Sequence, residues 1–506
     1  MPDPFSWHPE PELIGFRDPD EARAALEALG AATWDLSLDY LYEEAVRRPV
    51  GSDSYPELRR RFFGPSAVPS AAPRGPETST HLLAEYRERV MPYLFNSQHP
   101  GAYSYFTPPP LPISIAGEIL GQWAQQGVDV WHAGPVAALV EEEVTAWLRD
   151  LVGFGEGSWG VLTSGGVMAN IMAMTVARDR HLPGLLGLVE PPRGAHLDGV
   201  RAYASDQTHF SIARALDVLG FPPETLRVLP SDDRFRLHAE PVAEAIAEDR
   251  ALGLVPYLIS AVAGSTNTGS VDLIGELADL AEREGLWFHI DAAYGAGARF
   301  SERLAMRVPD LERADSVTVD PHKWFFQSYD IGGLVVKSRE DLRETFHRSP
   351  EYYRSSLPED EPLNWYEYTV EGTRRFRALK LWLSWKFLGT EGFGRLVEHN
   401  TDLAAYLARR CTELATFEVL PHEPELSVVC LRHVPEELPS EHLDAYQDRL
   451  QRALEVSGEG WCSTTRLRGA TYLRAGVLNY LSTEEDVDRV LDALLRLSPE
   501  AARGLG

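Results

Sequence analysis

The chain has 506 residues, 44% hydrophobic and 25% charged, an ordinary globular composition whose length favours two or three structural units with a large core. Its 48 basic residues face 76 acidic ones, a formal charge of −28 that would repel phosphate backbones and anionic lipid, so neither nucleic acid nor a membrane is an expected partner. The acidic residues are spread along the chain, as in Glu141-Glu142-Glu143, and read as a solubilising surface. Three cysteines, Cys411, Cys430 and Cys462, show no Cys-x-x-Cys spacing, so neither a disulfide framework nor a metal site is expected. The first residues, Met1 to His8, lack a basic stretch leading into an apolar one, and no apolar run approaches the ~18 residues that span a bilayer. The expected compartment is a reducing cytoplasm.

In chain order, Asp18 to Leu29 and Tyr40 to Arg48 carry helical periodicity, and the proline-rich stretch Pro65 to Pro76 reads as a linker. Residues 1–112 are therefore expected to form an N-terminal helical arm. Over 113–375 short β-branched runs alternate with amphipathic helices: Trp159 to Leu162, Ala202 to Ala204, Leu254 to Ala261, Trp287 to Ile290, Ser316 to Val319 and Gly333 to Val336. That alternation predicts an α/β domain with a mostly parallel sheet flanked by helices, where ligands bind beyond the carboxyl ends of strands. A helix from Phe376 to Leu388, runs at Val428 to Arg432 and Thr471 to Val477, and a last helix from Thr483 to Arg496 predict a small C-terminal α+β domain over 376–506.

The motifs fall at the predicted strand ends. After Gly160-Val161-Leu162 comes Thr163-Ser164-Gly165-Gly166-Val167-Met168-Ala169-Asn170, whose small residues let backbone N–H groups approach an anion at a helix start, unless it is only a tight strand-to-helix turn. Ser205-Asp206-Gln207-Thr208-His209-Phe210-Ser211 offers an imidazole that could stack on a flat ring or be merely structural. Ala263-Gly264-Ser265-Thr266-Asn267 ends a buried strand with small hydroxyl residues. Asp291 ends the strand Trp287-Phe288-His289-Ile290, where a buried carboxylate needs a partner: a protonated pyridine nitrogen, or an arginine such as Arg299. Lys323, 32 positions further on in Asp320-Pro321-His322-Lys323-Trp324, is flanked by groups that could desolvate its amine.

This ordered set resembles the group II pyridoxal-phosphate amino-acid decarboxylases, the fold-type-I set that includes aromatic-L-amino-acid, tyrosine, histidine and glutamate decarboxylases, from about His99-Pro100 to Val487. The resemblance implies a seven-stranded sheet, pyridoxal 5'-phosphate as cofactor, Lys323 as its Schiff-base lysine, Asp291 as the pyridinium partner, His209 stacked on one ring face and Ala293 on the other. Thr266 and His322 match cofactor-site positions, and Ser164, Gly165, Gly166 and Val167 the phosphate turn. Tyr352, 29 positions beyond Lys323 in the segment Thr345 to Trp365, matches the loop tyrosine that protonates the carbanion.

Two departures stand in the pattern. Val167 and Met168 replace the serine and glutamate usual in the phosphate turn, which removes one phosphate hydroxyl and leaves Ser164 and backbone donors to hold the group. Tyr105 and Phe106 match aromatic pocket positions, while Ser97 and Asp129 stand where the aromatic-specific enzymes carry tryptophan and phenylalanine. The implied activity is decarboxylation of an L-amino acid, most readily an aromatic one. A polar or basic substrate such as 2,4-diaminobutyrate, an aminotransferase using Arg474, an aldehyde synthase and a non-catalytic relative are the alternatives. The family further implies a homodimer with its active site at the subunit interface.

Overall fold

The computed structural model describes residues 19–44, 47–49, 51, 53–75, 77–348 and 363–505. The chain divides into two compact units, one drawing on residues up to 104, 437–464 and 481–506, the other on residues 105–436 and 465–480. In the first unit the described helices are Pro19–Asp39, Tyr55–Phe63, Ser79–Arg89, Leu443–Ser457 and Glu484–Ala502. The last is opened by Thr483, whose hydroxyl accepts from the Asp486 amide while the Asp486 side chain accepts from the Thr483 amide, so two otherwise orphaned donors are met.

The second unit is built on a seven-stranded sheet of β1 (Trp159–Thr163), β2 (Val200–Ser205), β3 (Leu226–Leu229), β4 (Val255–Val262), β5 (Trp287–Asp291), β6 (Ser316–Val319) and β7 (Gly332–Val336), in the order β1-β7-β6-β5-β4-β2-β3. Pairing is parallel throughout β3-β2-β4-β5-β6, and β7 runs antiparallel to both β6 and β1. The carboxyl ends of β1, β2, β4, β5 and β6 therefore open on one edge of the sheet, the edge that carries the motifs. Every residue of β1, β5, β6 and β7 is buried, as expected of strands covered by helices on both faces.

Strand β3 was not marked by the sequence pattern. It is a four-residue edge strand, half-exposed at Leu226 and Arg227 and exposed at Val228, so it lacks the continuous apolar run of its neighbours. The helical stretch expected to end at Leu388 breaks there: within Ala378–Glu413, Gly389 takes φ 63° and ψ 172°, and a second helical segment follows. A separate four-stranded sheet of β8 (Phe417–Leu420), β9 (Val428–His433), β10 (Ser463–Leu467) and β11 (Ala470–Gly476) has the order β10-β11-β9-β8 and is antiparallel at β11-β9 and β9-β8. No helix among the described residues is long and apolar enough to cross a membrane.

Candidate active site

A cavity of about 360 Å³ opens at the carboxyl edge of the larger sheet, lined by Ser164, Gly165, Gly166, Val167, His209, Thr266, Asp291, Ala293, His322 and Lys323, together with Met168, Asn170, Ser211, Asp320 and others. All ten cofactor positions taken from the sequence pattern thus meet in one place.

At one end lies the glycine turn. The helix Gly166–Val176 starts there without any capping side chain, so its first amides have no partner within the helix, and residues that carry them line the cavity. Glycine is required by close approach: a Cβ on Gly166 would stand 2.7 Å from Asp320 Oδ2, and one on Gly332 would stand 2.5 Å from Gly165 Cα. Thr163 Oγ1 accepts from the Gly165 amide at 3.3 Å and steadies the turn. His322 packs behind it, its Nδ1 accepting from the Ile331 amide at 3.4 Å, with burial drawing the imidazole below its usual pKa.

At the other end, Asp291 is buried at the tip of β5. Its Oδ2 accepts from Asn170 Nδ2 at 2.9 Å and its Oδ1 from the Ala293 amide at 3.1 Å. The arginine alternative is excluded, because Arg299 donates instead to the carbonyls of Leu151 and Val308. Asn170 stands four residues past Gly166 on the same helix face, about 6 Å of rise, so one helix spans both ends of the cavity. His209 lines the space between, with Nδ1 2.8 Å from Ser211 Oγ and its pKa lowered by burial.

Lys323 sits in the turn after β6, its amide donating to the Asp320 carbonyl at 2.9 Å. Its Nζ is 3.2 Å from Asp320 Oδ2 and 5.8 Å from the centre of the Phe106 ring. Phe106 stacks on Tyr294 at 4.3 Å and Tyr294 on Trp324 at 4.8 Å, an aromatic pile beside the lysine. The Arg474 guanidinium lies 4.7 Å from the same Phe106 ring, and its Nε donates to the Thr266 carbonyl at 2.6 Å.

The substrate-side residues are less gathered. Tyr105, exposed and at φ 58°, precedes buried Phe106. Asp129 is half-buried in the loop before residues 131–133, outside the lining of this cavity, and its carbonyl accepts from the Tyr366 amide. Ser97 belongs to the first unit. Tyr352 lies outside the described residues.

Asn170 and Asp320 stand within the sequence motifs without an expected role, and Ser211 with no more than that of a helix cap. The signal for Asn170 was a polar residue one helical turn past Gly166 in an otherwise apolar, small-residue helix. Asp320 is a carboxylate inside the anion cradle, with Oδ1 buried and without a hydrogen-bond partner. No signal short of the turn's geometry could have placed it there. The arrangement fits a pyridoxal phosphate group. A Cβ-free, donor-rich turn suits the phosphate, a buried acceptor at Asp291 suits a protonated ring nitrogen, and an amine at Lys323 lies alongside. Among the described residues no cluster of three or more His, Cys, Asp or Glu could hold a metal ion.

A family model described as the pyridoxal-dependent decarboxylase conserved domain matches residues 64–434. An aromatic-L-amino-acid decarboxylase of Bacillus atrophaeus is 31% identical over 94% of this chain and 96% of its own length. An L-2,4-diaminobutyrate decarboxylase of Acinetobacter baumannii is 29% identical over 80% of both chains. The crystal structure of Oryza sativa TDC with PLP and tryptamine shares the fold, with a TM-score of 0.86 at 24% identity over 96% of this chain and 99% of that one.

Proposed function

Because the chain belongs to the pyridoxal-dependent decarboxylase family and is a pyridoxal-phosphate-dependent amino-acid decarboxylase, we propose that its substrate is an aromatic L-amino acid and that Lys323, Asp291, His209 and Tyr352 carry the reaction. The observation that carries this reading is the convergence of Lys323, Asp291, His209 and the glycine turn on one cavity. The aromatic preference draws support from the Phe106–Tyr294–Trp324 pile and from the likeness to the Bacillus atrophaeus enzyme along nearly the whole chain.

When bound, pyridoxal phosphate supplies an aldehyde that condenses with amines and a protonated ring that accepts the electron pair left by departing carbon dioxide. The chain's own residues do the rest. The backbone amides of Gly166 and Val167 and the Ser164 hydroxyl would hold the phosphate. Asp291, satisfied on both oxygens and shielded from water, accepts from the ring nitrogen and keeps its proton in place. His209 and Ala293 would flank the ring, Lys323 would present its amine to the aldehyde, and Tyr352 would deliver a proton to the substrate's α-carbon.

A second copy completes the reading. The helix Pro112–Ala124 exposes Ile119, Leu120 and Trp123, with Val136 and Leu139 also exposed on the next helix, an apolar face of the kind that closes in a symmetric dimer. Cys411, Cys430 and Cys462 are unpaired buried thiols, in keeping with a cytoplasmic location.

The deciding experiment scores carbon dioxide and amine release from a panel of tryptophan, tyrosine, phenylalanine, 2,4-diaminobutyrate, glutamate and cysteine sulfinate. Preference for 2,4-diaminobutyrate would overturn the aromatic assignment and turn attention to Asp129. Turnover of 2-oxoglutarate without carbon dioxide release would overturn Tyr352 as proton donor to a decarboxylated carbon. Lys323→Ala is expected to abolish the visible absorbance of the bound cofactor.

A further inference from the structure

Behind Asp291 runs a chain of hydrogen bonds in which the position of every proton can be worked out. Trp287 Nε1 can only donate, and it donates to Ser316 Oγ at 3.0 Å. Ser316 then has its single proton for His289 Nδ1, 2.9 Å away. His289 therefore carries its proton on Nε2 and donates to Asn170 Oδ1 at 3.1 Å, while Thr318 Oγ1 donates to the same oxygen at 2.6 Å. The reverse tautomer would set two lone pairs against each other.

With Oδ1 held by two donors, Asn170 turns its amino group to Asp291 Oδ2 at 2.9 Å and to Ser211 Oγ at 2.8 Å. The flipped amide would press its oxygen against a carboxylate oxygen with no proton between them. Ser211, having accepted from Asn170, has its proton free for His209 Nδ1 at 2.8 Å, and the Ser211 amide donates to the same nitrogen at 3.3 Å. His209 is thereby fixed with its proton on Nε2. Asn170, Ser211, His289, Ser316 and Thr318 are all buried, and the last three lie behind the cavity lining, so a partner lost there is not readily replaced by water. Burial holds the His289 pKa down to about 4, in keeping with the neutral ring this order needs.

We infer that Asn170 is a positioning residue that, through one amide locked by His289 and Thr318, fixes Asp291 as an acceptor toward the cofactor's ring nitrogen and, through Ser211 Oγ, reinforces the His209 tautomer that the Ser211 amide sets. The inference rests on the reading of Asp291 as the ring-nitrogen partner. It goes beyond it by assigning the orientation of Asp291 to a buried side chain on the helix that also forms the glycine turn.

The test uses the holoenzyme reconstituted with pyridoxal phosphate labelled with 15N at the ring nitrogen, whose chemical shift reports protonation independently of turnover. Asn170→Val removes the amide that donates to Asp291 Oδ2. In the valine protein Asp291 loses a charge-assisted hydrogen bond and becomes the stronger base, so the shared proton should shift about tenfold from the ring nitrogen toward the carboxylate. A valine protein that keeps the protonated-ring resonance of the unmodified protein would overturn the inference, however much stability it has lost.

Asp291→Asn is the reference. If it leaves the ring protonated, the reading of Asp291 has failed; if it loses the proton while Asn170→Val keeps it, only the role of Asn170 has failed. The unmodified protein offers a check that needs no variant. The 15N spectrum of its histidines should show His289 and His209 neutral with the proton on Nε2 at neutral pH, and an Nδ1-protonated form of either would sink the proposal.

Discussion

The two ends of the cofactor cavity are built on opposite principles. The Asp291 end is a closed side-chain network in which each buried donor meets an acceptor, from Trp287 through Asn170 to both carboxylate oxygens. The Gly165-Gly166 end is backbone held by contact: it has no capping side chain, it carries Val167 where a hydroxyl would serve, and it contains the Asp320 carboxylate with an unpartnered oxygen. One helix, Gly166–Val176, joins the two. A fully satisfied network fixes charge and proton positions, whereas a cradle of amides fixes only where an anion sits. The ring-nitrogen end should therefore govern chemistry, and the phosphate end should govern how much cofactor is bound.

Removing Asp291 is the largest break available. Asp291→Ala should lower kcat on the order of 10³-fold, the scale of losing one preorganised electrostatic partner, while cofactor remains bound at the phosphate turn. Stopped-time carbon dioxide release at saturating cofactor, with bound pyridoxal phosphate counted by absorbance, separates the two. Loss of binding in step with loss of rate would break the division of labour.

The buried network also predicts a pH response of the fold. Burial lowers His289 to about 4 in the folded protein, below the ordinary histidine value of 6.5. Between those limits the unfolded chain binds the extra proton, so stability rises with pH; the contribution is complete above about pH 6.5 and disappears as pH falls toward 4. His289→Gln should flatten the urea midpoint across that window. A midpoint that falls equally steeply with acid in the variant would assign the response to other groups.

At the phosphate end the expected effects are smaller and run the other way. Asp320 places a carboxylate 2.7 Å from where a Gly166 Cβ would be, next to amides suited to a dianion, and 3.2 Å from the Lys323 amine. Asp320→Asn should tighten cofactor binding by about tenfold, since removing a like charge beside the phosphate is worth on the order of 1 kcal/mol at a partly wet site. Equilibrium titration of apoprotein with pyridoxal phosphate measures it. Weaker binding would show that the Asp320–Lys323 pair holds the lysine for loading instead.

Much of this contrast could be read in the sequence, and the unread part has a common cause. Asp291, His209, Thr266, His322 and Lys323 each follow a short apolar run, and strand ends in a mostly parallel sheet converge on one edge, so their meeting was legible from order alone. Strand β3 was missed because half of its few residues face water, and the Gly389 break was met only as the end of a helix. Asn170 and Asp320 were missed as actors for a different reason. Their parts depend on which atoms face which across β5, β6 and the glycine turn, information that no spacing along the chain contains. Asp129, matched to a pocket position by resemblance, stands outside the lining of the cavity within one chain.

Restoring the absent hydroxyl gives the finest test of the contrast. Val167 lines the cavity at the second position of the helix that begins at Gly166, where the amide donors are unpaired and the side chain is half-exposed. A serine there would add one hydroxyl donor to a phosphate already held by several amides, and an exposed site with competing water returns less than a buried one. Val167→Ser should therefore strengthen cofactor binding by only about three- to tenfold, the net worth of one hydrogen bond to a charged group less the apolar contact given up. Asn170 is three residues further along the same helix, so the ring-nitrogen resonance supplies an internal control. If that resonance moves with Val167→Ser, the helix transmits strain between its ends and the two regions are not independent. If only the titration curve moves, the phosphate end sets occupancy and the Asp291 network sets the proton.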